Sequence, residues 1–259
     1  MKITILTLFP EMFEGFINTS IIKRAISKEA IELELVNIRD FTKDKPGRVD
    51  SAPTGGGAGL IMKCQPIIDA LNSVKTSNSH VILLSPAGKT FSQQLAHSYT
   101  SNYDHLIIIC GHYEGIDYRV NKYVDECVSI GDYILTGGEL GAMVISDAII
   151  RLIDGAISGE SIKEESFENG LLEYPQFTEP YDYNGDKIPD ILFCGNHEVI
   201  NKWRQKESLK LTKYSRPDLF KKYQLTKIDK KLLQEIDNNE VGKWENDAIT
   251  KAHKFIKKE

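Results

Sequence analysis

The sequence predicts an α/β domain built on a mostly parallel sheet, followed by a small all-α domain. Three observations carry that expectation. Apolar strand-like runs alternate with helical patterns through the first 150 residues, as in parallel strands joined by crossover helices. Three successive runs end in Gly- or Pro-punctuated loops at Ser85, Gly111 and Ile130, and such sheets gather ligands beyond the carboxyl ends of their strands. From Gly195 onward only helical patterns remain.

Taken in order, residues 2–9 are apolar and stop at Pro10, so they read as a buried first strand. Residues 19–28 place Ile21, Ile22, Ala25 and Ile26 at helical spacing, whereas residues 31–38 alternate Ile31, Leu33 and Leu35 with Glu32 and Glu34, the period of a half-buried strand. A loop over 43–54 leads into Gly55-Gly56-Gly57-Ala58-Gly59. A helix over 64–74 follows, then a strand over 81–84 ending in Ser85-Pro86-Ala87-Gly88, and a helix over 92–98. Strands are expected over 105–110, opening into Gly111-His112-Tyr113-Glu114-Gly115, and over 124–130. An apolar helix over 139–153 stops at Gly155. Residues 158–168 are polar and weakly periodic, as in a linker. Residues 174–189 are loop-like, with Pro175, Pro180 and Pro189, and helices are expected over 198–209, 217–223 and 229–238. The expected organisation is a domain over 1–158, a linker over 159–172 and a helical domain over 173–259.

A chain of 259 residues with 41% hydrophobic and 27% charged residues fits a soluble globular protein. The apolar run from Ile3 to Phe9 is too short for a signal peptide core or a membrane span. Cys64, Cys110, Cys127 and Cys194 form no C-x-x-C pair, which argues against zinc and against a disulfide framework and points to a reducing cytoplasm. The net charge of −5 conceals an asymmetry: residues 196–259 hold 16 Lys/Arg against 10 Asp/Glu, so a basic tail follows an acidic body. That distribution fits a polyanion engaged by one part of the molecule, although a solvated helical surface would look the same.

Gly55–Gly59 lacks the Lys-Ser or Lys-Thr of a phosphate loop and accommodates no G-x-G-x-x-G. There is no metal-spaced acid cluster, and His112 and His197 read as hydrogen-bonding or packing residues. The stretch Ser129–Met143 holds Gly131, Gly137, Gly138 and Gly141 among Ile130, Tyr133, Ile134 and Leu135. Such density suggests a backbone that turns tightly or approaches something closely, either a structural turn or a slot for a flat heterocycle.

Several strings occur together in a fixed order: Thr7-Leu8-Phe9-Pro10-Glu11-Met12-Phe13, Arg39-Asp40-Phe41, the Gly-rich loop, Cys110–Asp117, Ser129–Glu139, Glu165-Ser166-Phe167, Gly170-Leu171-Leu172-Glu173, Gly195-Asn196-His197 and Trp203-Arg204. In these the whole chain closely resembles the bacterial tRNA (guanine-N1)-methyltransferase family of the SPOUT superfamily. The resemblance implies a knotted SPOUT-type parallel-sheet N-terminal domain, a small all-α C-terminal domain and a homodimer. It also implies S-adenosylmethionine as donor, with transfer to N1 of the guanine at tRNA position 37, 3′ of the anticodon, and it leaves Mg2+ dependence open.

By the same resemblance the donor would be held by Ser85, Pro86, Gly111, Glu114, Ile130, Gly131, Asp132, Tyr133, Ile134, Leu135, Gly137 and Gly138. Asp50, Gly55, Gly56, Gly57, Gly59, Lys202 and Arg204 would contact the tRNA, and Lys206, Lys210, Lys213 and Arg216 join them as candidate phosphate contacts by charge and clustering. Arg151 would stabilise charge on the guanine oxygen. The general base of the family is an aspartate; here Glu164-Glu165-Ser166-Phe167 puts Glu165 in that place, one methylene longer, with Glu164 as a substitute. Gln176-Phe177-Thr178-Glu179-Pro180 and Ala58 also depart from the family pattern, which touches tRNA contacts more than the donor site. Two other functions stay open at this point: a SPOUT methyltransferase acting on another RNA position, and an RNA-binding module without catalysis.

Overall fold

The computed structural model describes residues 1–157, 165–253 and 256. The chain divides into two compact units, Met1–Gly159 and Glu160–Glu259. The first is α/β. Its sheet contains β1 (Lys2–Thr7), β2 (Glu32–Asn37), β5 (Ser79–Thr90), β6 (His105–Ile109) and β7 (Glu126–Ser129), in the order β2-β1-β6-β5-β7, with every pairing parallel. A two-stranded ribbon, β3 (Asp50–Ser51) with β4 (Ile61–Met62), lies outside it.

The sheet is buried on both faces. Ile3, Ile5, Leu106, Ile108, Ile82 and Val128 pack with Ile22 of α2 (Ser20–Ser27), Tyr99 of α4 (Gln93–Asn102) and Ile145 and Ile149 of α5 (Glu139–Ile150). The alternate residues Leu6, Ile107, Ile109, Val81 and Leu83 pack with Ile67, Ala70 and Leu71 of α3 (Cys64–Val74). Double coverage explains why β6 reads as an unbroken apolar run. The expected alternation of β2 is blunted, because this edge strand is only partly covered along its length.

One strand differs from its sequence expectation. β5 does not end at Leu84 but continues to Thr90, and both Leu84 and Lys89 register with Val128 of β7, so residues 85–88 bulge out of a continuing strand. Gly88 makes this possible: a β-carbon there would lie 2.4 Å from the Cys127 carbonyl carbon and the Val128 nitrogen. A bulge of this kind re-aims the chain where the strand meets a site.

At the opposite end of the sheet a polar network ties four strands together. The Thr4 hydroxyl donates to Glu34 Oε2 (3.0 Å) and lies 2.9 Å from His105 Nε2, while Ser79 Oγ lies 2.8 Å from His105 Nδ1. Because Thr4 spends its proton on Glu34, His105 donates from Nε2 and accepts at Nδ1, the neutral ring. Burial is the main influence holding the His105 pKa below the usual histidine range.

The second unit is helical: α6 (His197–Ser215), α7 (Pro217–Phe220), α8 (Lys227–Asp237) and α9 (Lys243–Ala252), with a short hairpin of β8 (Asp182–Tyr183) and β9 (Asp186–Lys187). Three features extend the sequence reading. α6 runs past Leu209 to Ser215, α9 had no visible signal, and the Gly195-Asn196-His197 string is a helix start. There Gly195 takes a positive φ of 67° and the Asn196 side chain accepts from the amides of Glu198 and Val199.

His105 supplies a stability test whose sign follows from its lowered pKa. The neutral ring contributes fully above about pH 6.5, and its contribution is lost as pH falls through the lower folded-state value. Relative to wild type, His105→Asn is expected to lose about 1–2 kcal/mol at pH 7.5, and the gap should shrink by pH 5. Urea midpoints at the two pH values measure it; a gap that is constant or grows toward pH 5 contradicts the neutral-ring assignment.

Candidate functional site

The site begins with three strand ends lying side by side. β6, β5 and β7 are adjacent and parallel, so the segments leaving their carboxyl ends are forced together. Beyond them opens a cavity of about 380 Å³. Its walls are Leu84, Ser85 and Pro86 from β5, Gly111 to Gly115 after β6, and Val128 to Gly131 with Tyr133 to Gly138 after β7, closed by Gly141 of α5.

Local chemistry shapes each wall. Ser129 Oγ accepts the Gly131 amide at 3.2 Å, and the Tyr133 hydroxyl reaches back to the Ile130 carbonyl at 3.2 Å, which closes a tight turn. Gly131 adopts φ 139°, and a β-carbon there would lie 2.7 Å from the Tyr133 ring. The loops after β6 and β7 are fastened together: the Gly138 amide donates to the Gly111 carbonyl at 2.7 Å, and His112 and Gly137 form an antiparallel bridge. A β-carbon on Gly138 would lie 2.8 Å from Cys110 Cα, and one on Gly137 would lie 2.4 Å from His112 Nδ1. Both glycines are therefore required by close approach.

The Gly-rich loop docks against the same wall. The Glu114 amide donates to the Leu60 carbonyl (3.0 Å) and the Met62 amide to the Gly115 carbonyl (2.9 Å). A β-carbon on Gly59, at φ 73°, would collide with the Glu114 side chain, 2.3 Å from its Cγ. Gly55, Gly56 and Gly57 all have positive φ and are exposed, and Asp50 sits opposite Met62 in the β3–β4 ribbon. Glu114 thus belongs to both features, its backbone and stem holding the loop while it lines the cavity.

Of the twelve residues expected at the donor site, eleven line this one cavity, and Asp132 stands outside it on the exposed side of the turn. Leu84, His112, Tyr113, Gly115, Val128, Ser129, Thr136 and Gly141 also line it and were not among those twelve, although each lies within or beside a string that the sequence marks. The lining suits an S-adenosylmethionine-sized ligand. It offers apolar surface from Leu84, Pro86, Ile130, Ile134 and Leu135 beside glycine-rich backbone, and Glu114 is its sole carboxylate among the described residues. No lysine or arginine among the described residues lines it, so a sulfonium cation would meet an attractive field.

Arg151 is the residue that ends α5, the helix that begins at the cavity. Thirteen residues at 1.5 Å each put it roughly 20 Å along the axis from Gly138, beyond the reach of its own side chain.

In the second unit, Glu165 lines a polar cavity of about 260 Å³ with Asn169, Glu173, Tyr174, Asn201, Arg204, Gln205 and Ser208. Glu164 lies outside the described residues, as do positions 159–164 of the expected linker. The Arg204 guanidinium stacks over Tyr174 at 4.5 Å, and the Lys202 ammonium sits 4.1 Å over the Trp244 ring. Lys206 is a correction to the list of phosphate contacts. It is 6% exposed and holds Glu245 at 2.8 Å and Glu235 at 3.0 Å. Burial pulls its pKa down, but the hydrogen bonds to Glu245 and Glu235 outweigh it and leave the pKa raised. Lys213 pairs with Asp237 and Arg216 with Asp218, whose pKa Arg216 pushes down to about 2; Lys210 is exposed. No group of three or more His, Cys, Asp or Glu able to hold a metal occurs among the described residues, and no helix there is long and apolar enough to cross a membrane. All four cysteines are free.

Known proteins resemble the chain over most of its length. The family model described as tRNA (Guanine-1)-methyltransferase TrmD matches residues 1–222. The chain is 55% identical over 223 residues to the tRNA (guanine-N(1)-)-methyltransferase of Malacoplasma penetrans (strain HF-2), covering 86% of this chain and 98% of that one. It is 54% identical over 239 residues to the protein of that name from Clostridium botulinum (strain 657 / Type Ba4), covering 92% and 99%, and 52% identical over 237 residues to that from Dictyoglomus turgidum (strain DSM 6724 / Z-1310), covering 91% and 96%.

The loop fastening yields a direct test. Gly138→Ala pushes a methyl group into Cys110 and is expected to weaken S-adenosylhomocysteine binding at least tenfold by calorimetric titration, with far-ultraviolet circular dichroism unchanged. Undiminished affinity would show that the two loops do not form the cavity wall together.

Proposed function

The chain belongs to the tRNA (guanine-1)-methyltransferase family, and from that premise we propose how its own residues carry out the reaction. It methylates N1 of a guanine in tRNA with S-adenosylmethionine as donor; the target we assign is position 37, 3′ of the anticodon. The observation that carries the assignment of the site is the cavity at the ends of β5, β6 and β7, walled by apolar side chains and close-packed glycines and joined through Glu114 to the Gly-rich loop. When bound, S-adenosylmethionine supplies an electrophilic methyl group on a sulfonium.

The protein's part is positioning, which can contribute roughly 7–11 kcal/mol to lowering a barrier of this type. Ile130, Gly131 and Tyr133 to Leu135, with Ser85, Pro86 and Gly111, would hold the nucleoside, and Glu114 would supply the negative potential. Asp50 and the loop Gly55 to Gly59 hold the target guanine against that wall. Guanine N1 carries a proton that must leave. Glu165 takes it, and an arginine cation stabilises the charge that gathers on the guanine oxygen. Lys202, Arg204 and Lys210 contribute to the positive surface met by the tRNA phosphates.

The catalytic assembly is a homodimer. Arg151 is too far along α5 to serve the cavity at the start of that helix. It shares a helix face with Leu140 and Val144, large apolar residues that are 49% and 51% exposed. An apolar stripe leading to an arginine is what a second copy would cover, and a two-fold pair would bring each Arg151 to the other copy's cavity.

Transfer of labelled methyl to a tRNA transcript tests the reaction, with loss of incorporation expected when the guanine at position 37 is replaced. In the same assay Glu165→Gln should lower turnover by about 10²–10⁴-fold with donor affinity retained. Equal turnover would remove Glu165 from the base role.

The shared site has its own test. Gly138→Ala and Arg151→Ala chains, each inactive alone, are mixed and allowed to exchange. Statistical pairing should restore on the order of a quarter of wild-type activity, because one intact cavity meets one intact arginine in each mixed dimer. No recovery despite proven exchange contradicts a site shared between copies.

A further inference from the structure

Behind the wall of the donor cavity lies a buried acidic group that the proposed reaction does not use. Glu139, the first residue of α5, is 1% exposed. Its Oε1 accepts the Thr7 hydroxyl at 2.9 Å, and Thr7 Oγ1 in turn accepts the Phe9 amide at 3.0 Å, which fixes the direction of that hydroxyl proton. The other carboxylate oxygen, Oε2, faces His112 Nδ1 at 3.6 Å. His112 Nδ1 is buried and has no hydrogen-bond partner among the described residues. The ring is held by Phe9 at 4.7 Å and by Tyr113 at 5.3 Å, and the His112 amide donates to the Met62 sulfur at 3.2 Å.

An imidazole lone pair pointed at a buried carboxylate oxygen is repelled; a proton on Nδ1 turns the contact into an attraction. Neutral histidine carries one ring proton, so placing it on Nδ1 leaves Nε2 as an acceptor. His112 lines the cavity, and with Nδ1 sealed its accessible polar edge is the Nε2 edge.

We propose that His112 is a donor-binding residue whose tautomer is set by the Thr7–Glu139 relay, and that its Nε2 accepts a hydrogen bond from a hydroxyl or amine of the nucleoside ligand. This rests on the assignment of the cavity to S-adenosylmethionine.

Titrations with S-adenosylmethionine and with S-adenosylhomocysteine at pH 8.0 test this, using wild type, His112→Gln and His112→Asn. Glutamine places an amide near the Nε2 position, whereas asparagine reaches only the Nδ1 position. His112→Gln should keep the wild-type affinity for both ligands within about twofold; His112→Asn should be about fivefold weaker, the scale of one lost hydrogen bond. Equal losses in both variants, or no loss in His112→Asn, with unchanged melting temperatures, overturns the proposal. No binding of either ligand to wild type would instead reject the cavity assignment on which it rests.

Discussion

The molecule is organised around one close approach, where the loop after β7 lies against the loop after β6. A single hydrogen bond from the Gly138 amide to the Gly111 carbonyl, 2.7 Å long, marks the contact. Neither Gly137 nor Gly138 has room for a β-carbon, so the backbones themselves form the joint. Parallel strands make such a joint available, because β6, β5 and β7 deliver their ends to one rim. Once it closes, the apolar side chains of 130–135 have a slot to line, α5 starts where Glu139 is buried, and Glu114 is pinned against Gly59. Cavity, helix start and Gly-rich loop are therefore consequences of a single packing constraint.

Electrostatics divide the labour differently in the two units. In the first, charge is scarce around the cavity, and the buried carboxylate of Glu139 behind it is held by the Thr7 hydroxyl. In the second, a formal excess of positive charge is partly consumed inside the fold. Lys206 acts as a structural cation between Glu235 and Glu245, and Lys213 and Arg216 each hold an aspartate. A charge count thus overstates what is available to a polyanion. Aromatic rings present two of the remaining cations: Trp244 lies under Lys202 and Tyr174 under Arg204. A guanidinium or ammonium resting on a ring face can still offer its outer hydrogens to phosphate or base.

Much of this was legible in the sequence because it depends on local pattern. β6 is an apolar run between turn signals, and α3 appears with the expected bounds because Ile67, Ala70 and Leu71 recur at helical spacing. What stayed hidden depends on distant partners. Ser85-Pro86-Ala87-Gly88 reads as the end of a strand, and only the backbone of β7 beside Gly88 shows that β5 continues. α9 is polar along most of its length and is fixed by Trp244, Ala248 and Ala252 packing on Ile191, Cys194 and Trp203. The carboxylates that claim Lys206 lie 29 and 39 residues away. At the candidate site, glycine density pointed to the right segment, but the role of His112 emerged only when Glu139 and Thr7 were brought beside it from 27 and 105 residues away.

The central claim is that the ends of β5, β6 and β7 form one cradle for the methyl donor. Hydrogen–deuterium exchange of the intact protein with and without saturating S-adenosylhomocysteine tests it most directly, since amides buried by a ligand or locked by it exchange more slowly. Protection should rise together at residues 84–86, 111–115 and 130–138. Binding that leaves any one of these segments unprotected, or that protects a different part of the chain in their place, would contradict a cradle built from all three strand ends.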